Sequence, residues 1–381
     1  MTNEQQALLY LVRLGIGNNT ESGFDFEGVN WRNLVDSSFA QGVPAIAVDG
    51  LQNLYEAHSG LTLDIDNPEL EALKYEWFGS IFQAEENHKT HKRALRKLTD
   101  LFGSQGIRVL LLKGLGVGRY YPTPSHRQCG DIDIYLFGDY EKGNKIIESL
   151  GIEINRENSK HSVFTFNSVM VENHKSFLDL DVTSAERKNN EIISSTVSGG
   201  VDSGEGYLLP DSLTNYLFLI RHIAKHFCES GGITIRHLLD WGLFLQGERE
   251  TLDLQKGNEL IERMGLTQIK DIFTRLSAYV TDFDLSFALS RHNQSLELQS
   301  VDEKFLDEIL KEKVTVLSSN PIVRSLQIVK EWNAHRWKYR YFPDNFSESF
   351  WNRFCHVATY KARAILAGEK VIRGKNERNC L

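Results

Sequence analysis

The spacing of apolar residues divides the chain into helical outer regions and a central part with short strands. In the first region, residues 1–98, the clearest helix lies near EENHKTHKRALRKLTDLF, where apolar side chains recur on one side at helical spacing. Gly103 and Gly106 follow as stop signals. The apolar positions of this helix are Ala94, Leu95, Leu98, Leu101 and Phe102.

The central part carries short apolar runs bounded by glycine, which are typical of buried strands. The first two runs are IRVLLLKG (107–114) and DIDIYLF (131–137), and residues 161–182 contain one or two further strands. The stretch DYEKGNKIIESLG after the second run has helical spacing and ends at Gly151. Its inward positions are expected to be Tyr140, Ile146, Ile147 and Leu150.

Helical spacing returns after a polar, glycine-rich and serine-rich loop at residues 194–206. One helix is predicted to open at Asp211 or Ser212, directly after Pro210, and a second helix includes Ile235. The helical pattern then continues to the end of the sequence.

The order of these elements predicts the fold class. The chain has 381 residues, which by size suggests about two or three domains. We predict an α+β fold, in which a small mixed-sheet core at 99–200 is flanked by a helical region at 1–98 and another at 201–381.

Composition and charge narrow the class of protein. The formal net charge is −8, which is not the footprint of a protein that coats nucleic acid. The four cysteines lie far apart, without the pairing of a disulfide framework or a zinc ribbon. The start of the sequence is a poor signal peptide, and no run approaches the roughly 20 apolar residues that span a bilayer. We therefore expect a cytoplasmic protein with reduced thiols and no membrane partner.

The most informative stretch is QCGDIDIYLF, in which Asp131 and Asp133 open a strand. Side chains alternate along a strand, so both carboxylates point to the same face while Ile132 and Ile134 point to the other. Two adjacent carboxylates repel and oppose each other's ionisation. Such a pair has a low free-energy cost only where bulk water solvates it or where the two carboxylates bind a cation.

Three interpretations of the pair compete. The first is a solvated strand end, in which Arg127 neutralises Asp131. The second is a dinucleotide-binding fold, because GLGVG follows a strand, but its third glycine is replaced by Arg119 and the acids lie at the wrong end of their strand. The third is a two-metal site, in which the pair and a third carboxylate hold ions about 4 Å apart for phosphoryl or nucleotidyl transfer.

A resemblance to a known family is carried by LLLKGLGVGRYYPTPSHRQCGDIDIYLF. This stretch resembles the uncharacterised nucleotidyltransferase family of the polymerase-β superfamily, in which Leu-Lys-Gly ends one strand and Arg-x-x-Gly-Asp-Ile-Asp opens the next. The segment VENHKSF is similar to the family's Val-Glu-Leu-His element. The helical region after the core is also similar, at LLPDSLTNYLFLIRHIAKHF and IRHLLDWGLFL. The resemblance covers about residues 75–250.

The resemblance implies roles for individual carboxylates. Asp131 and Asp133 would bind the metal ions, and Glu172 would be the third catalytic carboxylate. Asp179 and Asp181 form a second pair on one strand face and remain rivals of Glu172.

The resemblance also implies a phosphate-binding turn at Lys113 and Gly114. Many relatives have a serine after this glycine, but this chain has Leu115, so phosphate binding would depend on Lys113 and backbone amides. Arg127 could also steady a phosphate.

The implied reaction is transfer of NMP from an NTP, expected to be ATP, to an acceptor hydroxyl with Mg²⁺ or Mn²⁺ as cofactor. The acceptor could be a protein, an RNA end or a small molecule. The alternative is a non-catalytic nucleotide-binding or interaction module with the same fold, which the missing serine favours.

A separate candidate is a zinc site on the helix after Pro210. His222 and His226 have the i, i+4 spacing that can hold zinc, with His237 or Asp240 as a further ligand. Histidines with this spacing are several-fold more common without a metal.

Overall fold

The computed structural model describes residues 1–18, 23–57, 68–156, 160–180, 183–228, 232–290, 295–311, 330, 334 and 336–341. Its α-helices are α1 (Asn3–Gly15), α2 (Trp31–Ala40), α3 (Pro44–Ala57), α4 (Pro68–Gly103), α5 (Gly114–Gly118), α6 (Tyr140–Ser149), α7 (Ser184–Thr196), α8 (Ser212–Cys228), α9 (Ile235–Gly247), α10 (Leu254–Arg263), α11 (Thr267–Thr281) and α12 (Ser300–Leu310). Short 3₁₀ helices lie at Pro124–His126, Ser286–Ala288 and Arg336–Tyr341.

A single mixed sheet forms the centre of the described structure. Its strands are β1 (Leu110–Leu112), β2 (Asp131–Tyr135), β3 (His161–Phe166), β4 (Val169–His174), β5 (Val201–Asp202) and β6 (Leu208–Leu209). Their order across the sheet is β3-β4-β2-β1-β6-β5. The pairs β2/β4 and β1/β6 are parallel, and the other neighbours are antiparallel. The predicted α+β class with a mixed sheet and helical flanks is confirmed.

Apolar alternation gives the sheet two different faces. One face packs against α4 through the helix stripe predicted from the sequence, of which Leu98 and Phe102 are fully buried. Ile132 and Val171 belong to this layer. Alternate residues such as Leu110 and Leu112 belong to the larger apolar cluster formed with the surrounding helices. The second face therefore lies towards the helices and carries the polar residues of β2 and β4.

Some local predictions differ from the structure. The first strand occupies only Leu110–Leu112 of the predicted run, because the glycine turn begins directly after it. Leu150 is 53% exposed instead of facing inward, since α6 ends at Ser149 and the chain turns at Gly151, where φ is +76°.

The polar segment before α8 also differs from the predicted loop. The predicted loop at residues 194–206 begins in α7 and contains the short strand β5, and the short strand β6 follows it. The amide of Leu208 donates to the carbonyl of Val109 at 2.8 Å, which attaches this segment to β1. Strands of two residues are too short to show an alternating pattern in the sequence. The sheet thus extends beyond residue 200, and the division at 1–98, 99–200 and 201–381 stays a prediction.

None of the helices in the described part of the chain is both long enough and apolar enough to cross a membrane.

Candidate active site

Two neighbouring strands bring the predicted carboxylates to one face of the sheet. β2 and β4 run parallel, and Asp133 lies opposite Glu172 in the register. Because Ile132 and Val171 pack into the layer against α4, the alternating side chains of Asp131, Asp133 and Glu172 point to the other face. The hydrophobic pattern of the strands therefore determines the direction of all three acids.

The three acids form a compact group. Carboxylate oxygens of Asp131, Asp133 and Glu172 lie within 4.8 Å of one another. This spacing is small enough for shared divalent ions, and carboxylate oxygens are ligands that Mg²⁺ and Mn²⁺ prefer. The structure thus brings together the three acids that the sequence singled out, and their catalytic roles stay predictions.

Asp133 is fully buried and uses only one of its two oxygens. Its Oδ1 accepts from Lys113 Nζ and from His174 Nε2, both at 2.8 Å. No residue that the structure describes donates to Oδ2, although this atom is buried. Burial by itself would raise the pKa of Asp133, but Lys113 and His174 hold this pKa well below its usual value. Asp133 is therefore a permanent anion with one unused oxygen.

Asp131 has the opposite electrostatic behaviour. The charge of Asp133 and then burial raise the pKa of Asp131 to about 7, although Lys113 opposes this shift. Ionised Asp131 is thus destabilised in the absence of a bound cation. A divalent ion would relieve this repulsion, which is the situation that the sequence pattern indicated.

The turn between β1 and α5 has an unusual backbone. Lys113 has φ +47° and ψ −145°, a conformation that favours glycine, and Gly114 has φ +40°. A Cβ at Gly114 would lie 3.1 Å from Cys129 Sγ and 3.4 Å from the carbonyl oxygen of Asp131. A non-glycine residue in such a conformation costs about 1–3 kcal/mol, and such strain is concentrated at functional sites.

Lys113 contacts a carboxylate of the acid group. A buried ammonium is costly unless it contacts water or an anion, and the anion in the structure is Asp133. Burial would lower the pKa of Lys113, but Asp133, Asp131 and Glu172 together raise it. Lys113 also lines the cavity beside the acids, and its predicted contact with phosphate is not tested by this arrangement.

Two histidines flank Glu172. His161 Nε2 lies 3.5 Å from Oε1 of Glu172, and His174 Nε2 lies 3.4 Å from Oε2. Burial lowers the pKa of His161 to about 4, so this ring is neutral at pH 7. His174 is fully buried, and because Asp133 only accepts, the shared proton must sit on Nε2 of His174. His174 thus connects two of the three acids.

Arg127 is bound to α9 and not to Asp131. Its Nε and Nη2 donate to the two carboxylate oxygens of Asp240, each at 2.7 Å. Tyr121 donates to the same carboxylate at 2.7 Å. Burial opposes the charge of Arg127, but Asp240 raises its pKa, and Arg127 in turn lowers the pKa of Asp240. The interpretation in which Arg127 neutralises Asp131 is therefore wrong, and its predicted phosphate contact stays a prediction.

A cavity of about 500 Å³ lies between the acidic face of the sheet and helices α8 and α9. Nitrogen-bearing side chains from these two helices, and Lys160 from the start of β3, also line it; the helix residues are His222, Lys225, His226 and Arg236. Burial and then the charges of Lys113 and Lys225 lower the pKa of Lys160 to about 8. The cavity therefore has an acidic wall and a basic wall, as expected for a site that binds cations together with an anionic ligand.

The structure also bears on the alternatives. The rings of His222 and His226 are 4.3 Å apart, but neither belongs to a metal-ligating group of three among the described residues. Burial lowers the pKa of His222 well below its usual value. Asp179, one rival of Glu172, lines the cavity. Asp181, the other rival, lies outside the described residues.

Sequence reasoning did not select some residues of this site. His174 is not among the predicted site residues, although its position two residues after Glu172 on the same strand face was an available signal. Lys160 and Lys225 were not selected at all. Lysines at the start of a strand and on a polar helix face are too common to signal a site.

The comparisons with known proteins assign a family. The chain belongs to the uncharacterised nucleotidyltransferase family, whose model matches residues 27–282. This match confirms the resemblance seen in the sequence and extends it in both directions. No curated protein matches the chain.

Two solved structures have weak similarity to this fold. One is the crystal structure of ANT(2'')-Ia in complex with adenylyl-2''-tobramycin, at 11% identity and a TM-score of 0.33, covering 46% of this chain and 97% of that chain. The other is the solution structure of the antibiotic-resistance factor ANT(2'')-Ia, at 12% identity and a TM-score of 0.32, covering 46% of this chain and 89% of that chain.

Proposed function

We propose that this protein transfers a nucleoside monophosphate from an NTP, with ATP as the expected donor, to an acceptor hydroxyl. The observation that carries the proposal is the group of Asp131, Asp133 and Glu172 beside a cavity, in a chain of a nucleotidyltransferase family. The acceptor oxygen forms a bond to the α-phosphorus, the bond from this phosphorus to the bridging oxygen breaks, and pyrophosphate leaves with the electron pair.

The residues present fit one or two divalent ions. Oδ2 of Asp133 is a buried acceptor that no described residue uses, and ionised Asp131 lacks sufficient positive charge nearby. Asp131 and Asp133 would hold Mg²⁺ or Mn²⁺, with Glu172 as the third carboxylate. When bound, such ions lower the pKa of the attacking hydroxyl and stabilise charge on the transferred phosphate.

The remaining residues of the site have roles in binding and proton transfer. Lys113 contacts Asp133 and also lines the cavity, so its ammonium can exchange a carboxylate for the β- or γ-phosphate. Glu172 accepts the proton of the attacking hydroxyl or orients this hydroxyl, and His174 keeps the Glu172 carboxylate next to Asp133.

The test is incubation with each labelled NTP, Mg²⁺ and a cell extract, followed by a search for a labelled product. Wild-type protein is expected to give a product, and Asp131→Asn/Asp133→Asn is expected to give none. Asp100→Asn is a suitable control, because Asp100 is an exposed residue of α4. Absence of product with every NTP, or equal labelling by the double variant, would contradict the proposal.

The second candidate is a nucleotide-binding module without turnover. Leu115 stands where many relatives have the serine that contacts phosphate, and this residue favours the alternative. Binding of an NTP with Mn²⁺ in the absence of any transfer product would support it. The labelling assay distinguishes the two functions, because both predict NTP binding in calorimetry and only the first predicts a transfer product.

A further inference from the structure

The basic wall of the cavity indicates the chemical class of the acceptor. We propose that the acceptor is a small alcohol that carries an anionic group, a phosphate or a carboxylate, which binds to Lys160 and Lys225. This inference rests on the proposed nucleotidyl transfer and adds the acceptor class to it. It depends on where these lysines lie relative to the acids, and on the charge they bring to the cavity.

The sheet register distinguishes the side where the NTP would bind from the side where the acceptor alcohol would bind. Leu112 pairs with Asp133, Asp133 with Glu172, and Glu172 with Val163, so these residues form one row across four strands. The proposed phosphate turn follows Leu112 at one end of the row. Attack on the α-phosphorus occurs in line with the departing pyrophosphate, so the acceptor must approach from the opposite end.

Lys160 lies at that opposite end. It directly precedes β3, and its neighbour His161 contacts Glu172, the acid assigned to the acceptor hydroxyl. Lys225 reaches the same cavity from α8. Lys160 therefore brings a positive charge to the side where the acceptor enters, and Lys225, whose charge acts on Lys160, adds a second positive charge to the same cavity.

The charges on this side remain positive when the acids are counted. Apart from the three acids of the proposed metal-binding group, the described carboxylates that line the cavity are Asp179 and Asp240, and Asp240 is paired with Arg127. Lys225 makes no ion pair with any residue in the described part of the chain. The charges of Lys113 and Lys225 both disfavour the charge of Lys160, and an anion bound beside Lys160 would relieve this repulsion.

The ligand is a small molecule and not a nucleic acid or a polyamine. The cavity volume of about 500 Å³ lies in the range of small-molecule sites. The net charge of −8 disfavours a long polyanion such as RNA. The two lysines would repel a polycationic acceptor, because its charges have the same sign as theirs. In the reaction, the alcohol oxygen of this anionic acceptor bonds to the α-phosphorus, its proton passes to Glu172, and pyrophosphate departs.

The experiment is calorimetry on the full chain with Mn²⁺ and α,β-methylene-ATP, an analogue that blocks transfer. The wild-type complex is titrated with glycerol 3-phosphate, glycerate, glycerol and the polycationic amino sugar tobramycin. We expect binding of the phosphate or the carboxylate compound and none of glycerol or tobramycin. The phosphate and carboxylate titrations distinguish the two anionic groups.

Two variants test the lysines. Lys225→Gln should weaken binding of the anionic alcohol by about tenfold or more, the effect of one lost charge-assisted hydrogen bond, and should change the affinity for the analogue by less than about twofold. Lys225→Arg should restore binding. Lys256→Gln is the matched control, because Lys256 is exposed on α10, away from the cavity lining.

The outcomes separate this inference from the function that it rests on. If Lys225→Gln weakens the analogue and leaves the anionic alcohol unaffected, the lysines bind the triphosphate and the inference is wrong. Tighter binding of glycerol, tobramycin or an RNA 3′ end than of the anionic alcohols would also overturn it. If wild-type protein binds no analogue at all, the proposed function itself fails, and this inference fails with it.

Discussion

Replacement of Asp131 by asparagine should stabilise the metal-free protein and weaken its binding of divalent cations. The reason is the raised pKa of Asp131, about 7 in the folded protein, which results from the neighbouring charge of Asp133 and from burial. A carboxyl with a raised pKa binds its proton more tightly in the folded chain than in the unfolded chain. Its ionisation therefore costs stability, and this cost grows as the pH rises from about 4 to about 7.

The magnitude follows from the shift. A difference of about 3 pKa units corresponds to about 4 kcal/mol as an upper bound. Because the Asp131 side chain is partly exposed, water screens the repulsion, and we expect about 1 to 2 kcal/mol for Asp131→Asn above pH 7. The gain should shrink as the pH falls and should vanish well below pH ~4, where Asp131 is protonated in both the folded and the unfolded chain.

The assay is thermal unfolding in EDTA at pH 8 and pH 5, repeated with Mn²⁺ at pH 8. In EDTA at pH 8, Asp131→Asn should unfold at a higher temperature than wild type, with a smaller difference at pH 5. With Mn²⁺ the order should reverse, because the wild-type protein gains stability by binding the ion and the variant gains less. Asp100→Asn should match wild type under all these conditions.

Asp133→Asn provides the opposite case. It removes the buried anion that Lys113 and His174 contact, so it should destabilise the protein by about 3–5 kcal/mol even in EDTA. The reasoning would be refuted if Asp131→Asn also lowered the unfolding temperature in EDTA at pH 8. In that case Asp131 would be a structural partner of Lys113 and not one of a repelling pair.

Three further predictions concern the surroundings of the acids. Lys113→Ala should weaken NTP binding more than NMP binding, because only the NTP offers β- and γ-phosphates; a uniform loss or no loss in calorimetry would identify Lys113 as structural. His174→Leu should lower kcat and the affinity for Mn²⁺ while His174→Gln restores part of both, because glutamine can donate to Asp133; equal defects in the two variants would indicate a packing role. Arg127→Ala should destabilise the protein by about 3–5 kcal/mol, because it leaves Asp240 buried and unpaired. Urea unfolding of Arg127→Ala, Asp240→Ala and the double variant measures this pair, and additive effects of the two changes would argue against their coupling.

The direction of the three acids was predictable because strands alternate with a period of two residues. Ile132 must be buried, so Asp131 and Asp133 must point to the other face, and the same reasoning applies to Val171 and Glu172. The family motif indicated which residues form the candidate site for a related reason, since most of them lie close together along the chain. The helix stripe on α4 and the α+β class followed from apolar spacing alone.

Other features depend on contacts between residues far apart in the sequence, and only the tertiary structure decided them. Arg127 pairs with Asp240, which is more than one hundred positions away, because α9 packs against the loop before β2. Sequence spacing contains no information on how a helix is rotated against a sheet. From the sequence, Asp131, only four positions after Arg127, was therefore an equally good candidate partner for Arg127.

The strained turn and the basic wall were undetermined for the same physical reason. Lys113 has a left-handed φ, which the sequence does not indicate because glycine is the usual residue in that conformation. The conformation persists because Asp133 on the neighbouring strand binds the Lys113 ammonium. Lys160 and Lys225 line the same cavity only because β3 and α8 both border it. Local patterns determined which residues share a face, because they depend on backbone period. Packing of helices against the sheet determined which charges meet, because that depends on side-chain shapes throughout the core.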